Sequence, residues 1–170
     1  VQVEFNPVTV AEYRLIGYET RALRREDFNN DAIDAGEIGA GHQVTALYEV
    51  TPVGSAAILN DPLRYGSADA TTTGPDSELA FLRLRWKEPG EDTSRLIEQP
   101  IGIATQTPDG DMRFATAIAG FGQLLRGSDY VGGWGYGDAV ALATQGRGVD
   151  AFGYRAEAIT LMRLADSLSR

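Results

Sequence analysis

The sequence predicts an α+β protein: an antiparallel β-sheet or sandwich of about five strands, followed by a C-terminal bundle of three helices. Three observations predict it. Apolar and polar residues alternate with a period of two through much of the first hundred positions, the mark of half-buried strands. After Pro108 the apolar spacing changes to that of a helix. After the clearest strand pattern stands Pro89-Gly90-Glu91-Asp92, which is turn chemistry and lets the next segment return antiparallel. The change of period divides the chain into a β-rich subdomain, residues 1–105, and a helical subdomain, residues 106–170. The two are open to packing as one domain.

The first strand is expected at Val1 to Phe5, where Val1, Val3 and Phe5 alternate with Gln2 and Glu4. The second is expected over Tyr13 to Thr20, a short run rich in aromatic and branched residues, and the third over Gln43 to Thr51. Leu79 to Lys87 gives the clearest pattern, with Leu82, Leu84 and Trp86 on one face and Arg83, Arg85 and Lys87 on the other. Leu96 to Ile103 completes the set. Residues 54–78 carry glycines, prolines and a threonine run and read as a long surface excursion. In the back part, Asp109 is a candidate N-cap for a helix whose apolar face holds Phe114, Ala117, Ile118, Phe121, Leu124 and Leu125, with Gly127 as its stop. Asp138 is a candidate cap for a short second helix ending at Gly146. Asp150 is a candidate cap for a third, with Tyr154, Ala158, Leu161, Met162, Ala165 and Leu168 on one face.

Composition bounds the chemistry. The 170 residues include 24 acidic and 15 basic side chains, one histidine and no cysteine, for a net charge of −9. Without cysteine there is no disulfide framework, thiolate metal site or thiol nucleophile, and His42 alone cannot build a multi-histidine zinc site. The acidic balance argues against nucleic acid or an anionic membrane as partner. No apolar run reaches the roughly 18 residues of a membrane span. Residues 1–100 hold 17 acidic and 9 basic side chains, residues 101–170 hold 7 and 6, so the charge sits in the strand-rich front. The chain begins at Val1 with no signal pattern behind it, which predicts a piece of a longer protein.

Four places invite a functional reading. Asp27, Asn29 and Asp31, with the carbonyl of Ile33, resemble the opening of a calcium loop. The pattern then departs from one, because the turn glycine of the sixth position is Ala32 and the bidentate glutamate of the twelfth is Ile38. The competing reading is an acidic connector whose Asn and Asp bond their own backbone. The basic stripe Arg83, Arg85 and Lys87 is a candidate partner surface, set against a solvated strand face paired with acidic neighbours. Trp134 and Tyr136, in a run of glycines before a helix, are candidates to grip a partner or to plug the gap between helices. Neither Gly36–Gly41 nor Gly132–Gly137 fits a phosphate cradle: the first leads into a strand, and the second lacks the Lys and Ser/Thr of a nucleotide loop. His42 has no Gly-x-Ser-x-Gly elbow or Ser-x-x-Lys pair to serve.

Several longer stretches carry a resemblance. Val1-Gln2-Val3-Glu4-Phe5-Asn6-Pro7 and Val10-Ala11-Glu12-Tyr13-Arg14-Leu15-Ile16-Gly17-Tyr18-Glu19 open it, and Arg24 to Asp31, Asp34 to His42 and Val44 to Glu49 continue it in order. So do Leu82-Arg83-Leu84-Arg85, Phe121-Gly122, Leu124-Leu125-Arg126 and Tyr154-Arg155-Ala156-Glu157. In these motifs, over nearly the whole chain, the sequence resembles the conserved domain of unknown function that follows the von Willebrand factor type A domain in a family of bacterial exported proteins and lipoproteins. The resemblance implies an upstream von Willebrand factor type A domain in the same polypeptide, an extracytoplasmic location in the periplasm or cell envelope, and no catalytic residues. The adhesion metal of that upstream domain is not expected here, because Asp166-Ser167-Leu168-Ser169 lacks the Asp-x-Ser-x-Ser spacing. The expected function is therefore a non-enzymatic structural and interaction module, needing no cofactor, that braces the upstream domain and binds it or a further protein. A calcium-stabilised module using the loop 27–37 is the alternative. A hydrolase using His42 or a carboxylate pair is the remote third.

Overall fold

A computed structural model describes residues 1–17, 24–33, 36–61, 77–104 and 106–169. The described residues form five antiparallel strands in two sheets and three C-terminal helices, the α+β arrangement the periodicity predicts. By its internal contacts the chain divides into two compact units, Val1–Gln43 with Tyr48–Thr105, and Val44–Leu47 with Gln106–Arg170.

In the first unit, β1 (Gln2–Phe5), β4 (Glu78–Trp86) and β5 (Arg95–Gly102) form a three-stranded sheet in the order β1-β4-β5. The Pro89–Asp92 turn delivers the expected hairpin, with Leu84 opposite Ile97 and Trp86 opposite Arg95. On the other edge, Val3 lies opposite Leu82 and Phe5 opposite Ala80. Partners directly opposite share a face, so Val3, Phe5, Ala80, Leu82, Leu84, Trp86, Ile97 and Ile101 lie on one largely apolar face, which also carries Gln99 opposite Leu82 and Arg95 opposite Trp86. β2 (Val10–Ile16) and β3 (Leu47–Pro52) pair in a separate two-stranded sheet. An isolated strand pair is marginal in water, and Phe5 props this one: its ring stacks on Tyr13 at 4.3 Å and meets Tyr48 edge-on at 5.3 Å.

Two strand starts differ from expectation. β2 begins at Val10 rather than Tyr13, because the turn after β1 closes quickly. The Asn6 side chain accepts from the Val8 N–H, and the Asn6 carbonyl accepts from Thr9 and Val10, leaving the chain extended from residue 10. β3 begins at Leu47 rather than Gln43, since alternation becomes a strand only where a neighbour pairs with it. The end of the expected second strand (18–20) and most of the 54–78 excursion (62–76) lie outside the described residues.

The second unit contains α1 (Gly110–Leu125), α2 (Tyr136–Gly146) and α3 (Tyr154–Leu168). Asp109 caps α1 as predicted, accepting from the Met112 N–H at 2.7 Å. Asp138 lies inside α2 and not at its cap, where its carboxylate reaches back to the Gly135 N–H at 2.8 Å, half of a capping box. The residue before α3 is Gly153, left-handed at φ +75°, yet Asp150 still serves the helix by accepting from the Ala156 N–H at 2.8 Å.

The helices meet through small residues. Ala117 of α1 and Ala139 and Ala143 of α2 are fully buried, with Ile159 and Met162 of α3 completing the cluster. Phe114, Phe121, Leu124, Trp134, Val140 and Leu142 pack round it. The contact of α1 with α2 is so close that a Cβ added at Gly146 would lie 2.6 Å from the Gly110 carbonyl oxygen and from the Phe114 nitrogen. The buried face of α3 is rotated from the predicted one: Met162 is buried as expected, but its buried companion is Ile159, while Tyr154, Leu161 and Leu168 are exposed. On α1, Ile118 and Leu125 are likewise exposed.

Candidate functional site

The densest polar constellation among the described residues lies in the first unit, where the acidic connector meets β4. Residues Arg25–Asn29 form one 3-10 turn. Asn30 then makes the local bonds expected of it, its side chain accepting from the Ala32 N–H at 3.0 Å and its carbonyl from Ile33 at 3.2 Å. This folding carries Asn29 and Asp31 to the face of β4 that bears the basic stripe.

There Arg85 takes the position of a cation. Its Nη1 donates to Asn29 Oδ1 at 3.1 Å, its Nη2 to Asp31 Oδ1 at 2.7 Å, and its Nε to Ser94 Oγ at 2.8 Å. Lys87 donates to the Asp31 carbonyl, and the Ser94 N–H to Asp31 Oδ2 at 3.4 Å. The Ser94 side chain and N–H, reinforced by Arg85 and Lys87, hold the Asp31 carboxyl below the usual carboxylate range against the opposing effect of desolvation. Arg83 pairs with Glu98 at 3.1 Å across the strands, with the Phe28 ring 5.3 Å from its guanidinium. All three basic residues are thus engaged by the connector or by β5.

Of the four proposed calcium ligands, Asn29 and Asp31 come together, on a guanidinium. Asp27 lies in the 3-10 turn and gives its carbonyl to the Asn30 N–H. Ile33 follows, with its N–H bonded to the Asn30 carbonyl. Calcium needs six to eight oxygens, and among the described residues no group of three or more His, Asp or Glu side chains is placed to hold a metal. A thermal melt in EDTA and then in excess calcium is therefore expected to give the same midpoint. A ligand that binds only the folded state raises it, so a rise with calcium would contradict this expectation.

A second polar clamp was not legible in the sequence. The Glu12 carboxylate on β2 accepts from the Leu59 N–H, the Asn60 N–H at 2.7 Å and the Asn60 side chain at 2.6 Å. The Asn60 backbone bond, its side-chain bond and the Leu59 N–H hold Glu12 below its ordinary pKa. On the same strand Arg14 pairs with Glu49 of β3. Asp150 is also lowered, first by the Ala156 N–H and then by the Arg155 N–H, with Arg147 adding attraction and desolvation opposing. Three carboxyls that bind protons less readily in the folded chain dictate a sign. Their stabilisation is complete above the ordinary carboxylate range, about pH 4 to 5, and fades as pH falls toward the lowered folded values. The urea midpoint is expected to be lower at pH 3.5 than at pH 7. An unchanged midpoint would contradict these contacts.

The remaining candidates serve local structure. Trp134 lies across Gly120, where an added Cβ would come within 2.4 Å of the indole. Tyr136 meets Phe121 edge-on at 6.1 Å, so both rings fill space between the helices. His42 is exposed and closes a turn by donating its N–H to the Gly39 carbonyl at 3.0 Å. Among the described helices none is long and apolar enough to cross a membrane.

Comparison with known proteins gives the chain a family. The profile described as "Uncharacterized protein YfbK, C-terminal" matches residues 1–168. The uncharacterized protein YfbK of Escherichia coli (strain K12) is 47% identical over 169 residues, 99% of this chain and 29% of that relative's length. No solved structure matches. A match over practically the whole chain, at that identity, shows that this protein belongs to the YfbK C-terminal domain family.

Proposed function

We propose that the chain is a non-enzymatic structural and interaction module that braces a preceding von Willebrand factor type A domain of the same polypeptide, in a bacterial envelope or secreted protein. The observation that carries this reading is the largely apolar face of the three-stranded sheet, part of which is open to water. Among the described residues of the first unit only Val10 and Ala80 are buried apolar side chains. Phe5 is covered at one end of the face by Tyr13 and Tyr48, while Ile97 remains 48% exposed and Ile101 36%. A sheet face of this composition gains stability only when something apolar lies on it. The relative supplies a source, because the chain spans only 29% of its length and the family is named as a C-terminal part. The non-enzymatic reading is supported by the polar groups themselves: Arg85, Asp31 and Glu12 are each held by structural partners, whereas a catalytic constellation aims such groups at a reacting atom.

The substitution Ile97→Lys tests it. In the 170-residue chain, where the side chain is half in water, the expected destabilisation is about 1 kcal/mol or less. In the polypeptide that includes the preceding domain, the same change buries an unpaired charge and is expected to destabilise by about 3 kcal/mol. Equal small effects in both lengths would remove the proposal.

A further inference from the structure

We draw no further inference here: the strongest candidate, the exposed apolar seam of Tyr154, Leu161, Leu164 and Leu168 along α3, is an unpartnered helix face, and nothing in the structure shows what covers it.

Discussion

Gly146→Ala is expected to destabilise the helical unit by about 1–3 kcal/mol, the usual range for forcing an extra methyl into a packed interior. The atoms in the way are backbone, the Gly110 carbonyl oxygen and the Phe114 nitrogen, each 2.6 Å from the new Cβ. Neither can swing aside as a side chain would, so α1 and α2 must separate and loosen the cluster of Ala117, Ala139 and Ala143. Alanine is the better helix former by about 1 kcal/mol, and that gain is already outweighed. Two further substitutions separate propensity from crowding. At Gly122 an added Cβ meets nothing within 4 Å, so Gly122→Ala is expected to stabilise by about 0.5–1 kcal/mol. At Gly110 the nearest atom is 3.6 Å away, an ordinary contact, so Gly110→Ala should be tolerated. Thermal unfolding reads all three, at about 4–8 °C per kcal/mol for a unit of this size. If Gly146→Ala and Gly122→Ala shift the midpoint alike, the close approach is not a determinant of stability.

Arg155→Ala is expected to lower stability by about 2–3 kcal/mol, the sum expected from charge-assisted hydrogen bonds and a cation at a helix C-terminus. The side chain joins all three helices. From α3, its Nη1 donates to the Gly146 carbonyl at 2.9 Å and the Arg147 carbonyl at 3.3 Å, serving carbonyls at the end of α2 that lack helical partners. Its Nη2 meets Asp111 of α1 at 2.6 Å, and its guanidinium carbon lies 4.9 Å from the Phe114 ring centroid. Arg155→Lys keeps the charge and loses the planar fork, so it should recover only part of the loss. Asp111 is 77% exposed, and removing it with Asp111→Asn is expected to change stability by about 0–1 kcal/mol. Should Asp111→Asn prove as damaging as Arg155→Ala, the ion pair rather than the carbonyl contacts would be the working part.

The elements that the sequence predicted well are those whose signal is local. The Pro89–Asp92 turn and the Leu82, Leu84, Trp86 alternation together place a hairpin that the register confirms, and Asp109 caps the helix it precedes. Sequence was silent where a feature depends on residues far apart in the chain. Glu12 and Asn60 stand 48 positions apart, and nothing in the residues round either one points to the other. The division of five strands into two sheets turns on β1 crossing to β4 rather than pairing with β2, a choice that alternation does not encode. The rotation of α3 has a similar cause. Both its apolar seams satisfy helical spacing, and the neighbour α2 selects Ile159 and Met162. Gly146 ends α2, as the sequence predicts. Its spacing from Ala139 and Ala143, at i, i+4 and i+7, was the available sign of a close helix contact.

For the candidate site, residue types were legible and their roles were not. The Asp27, Asn29, Asp31 pattern and the Arg83, Arg85, Lys87 stripe each suggested an external ligand when read alone. In the fold they are largely each other's ligands, with Arg85 between Asn29 and Asp31. Charge that reads as a site along the chain becomes a clip between connector and strand once the two are brought together.

The proposal of a bracing module is tested most directly by a structure of the polypeptide that includes the domain preceding Val1. The account predicts an interface on the order of 600–1,500 Å² seated on the apolar face of the three-stranded sheet, with Ile97 and Ile101 removed from water. A preceding domain joined only by a linker, with both isoleucines still exposed, would contradict it.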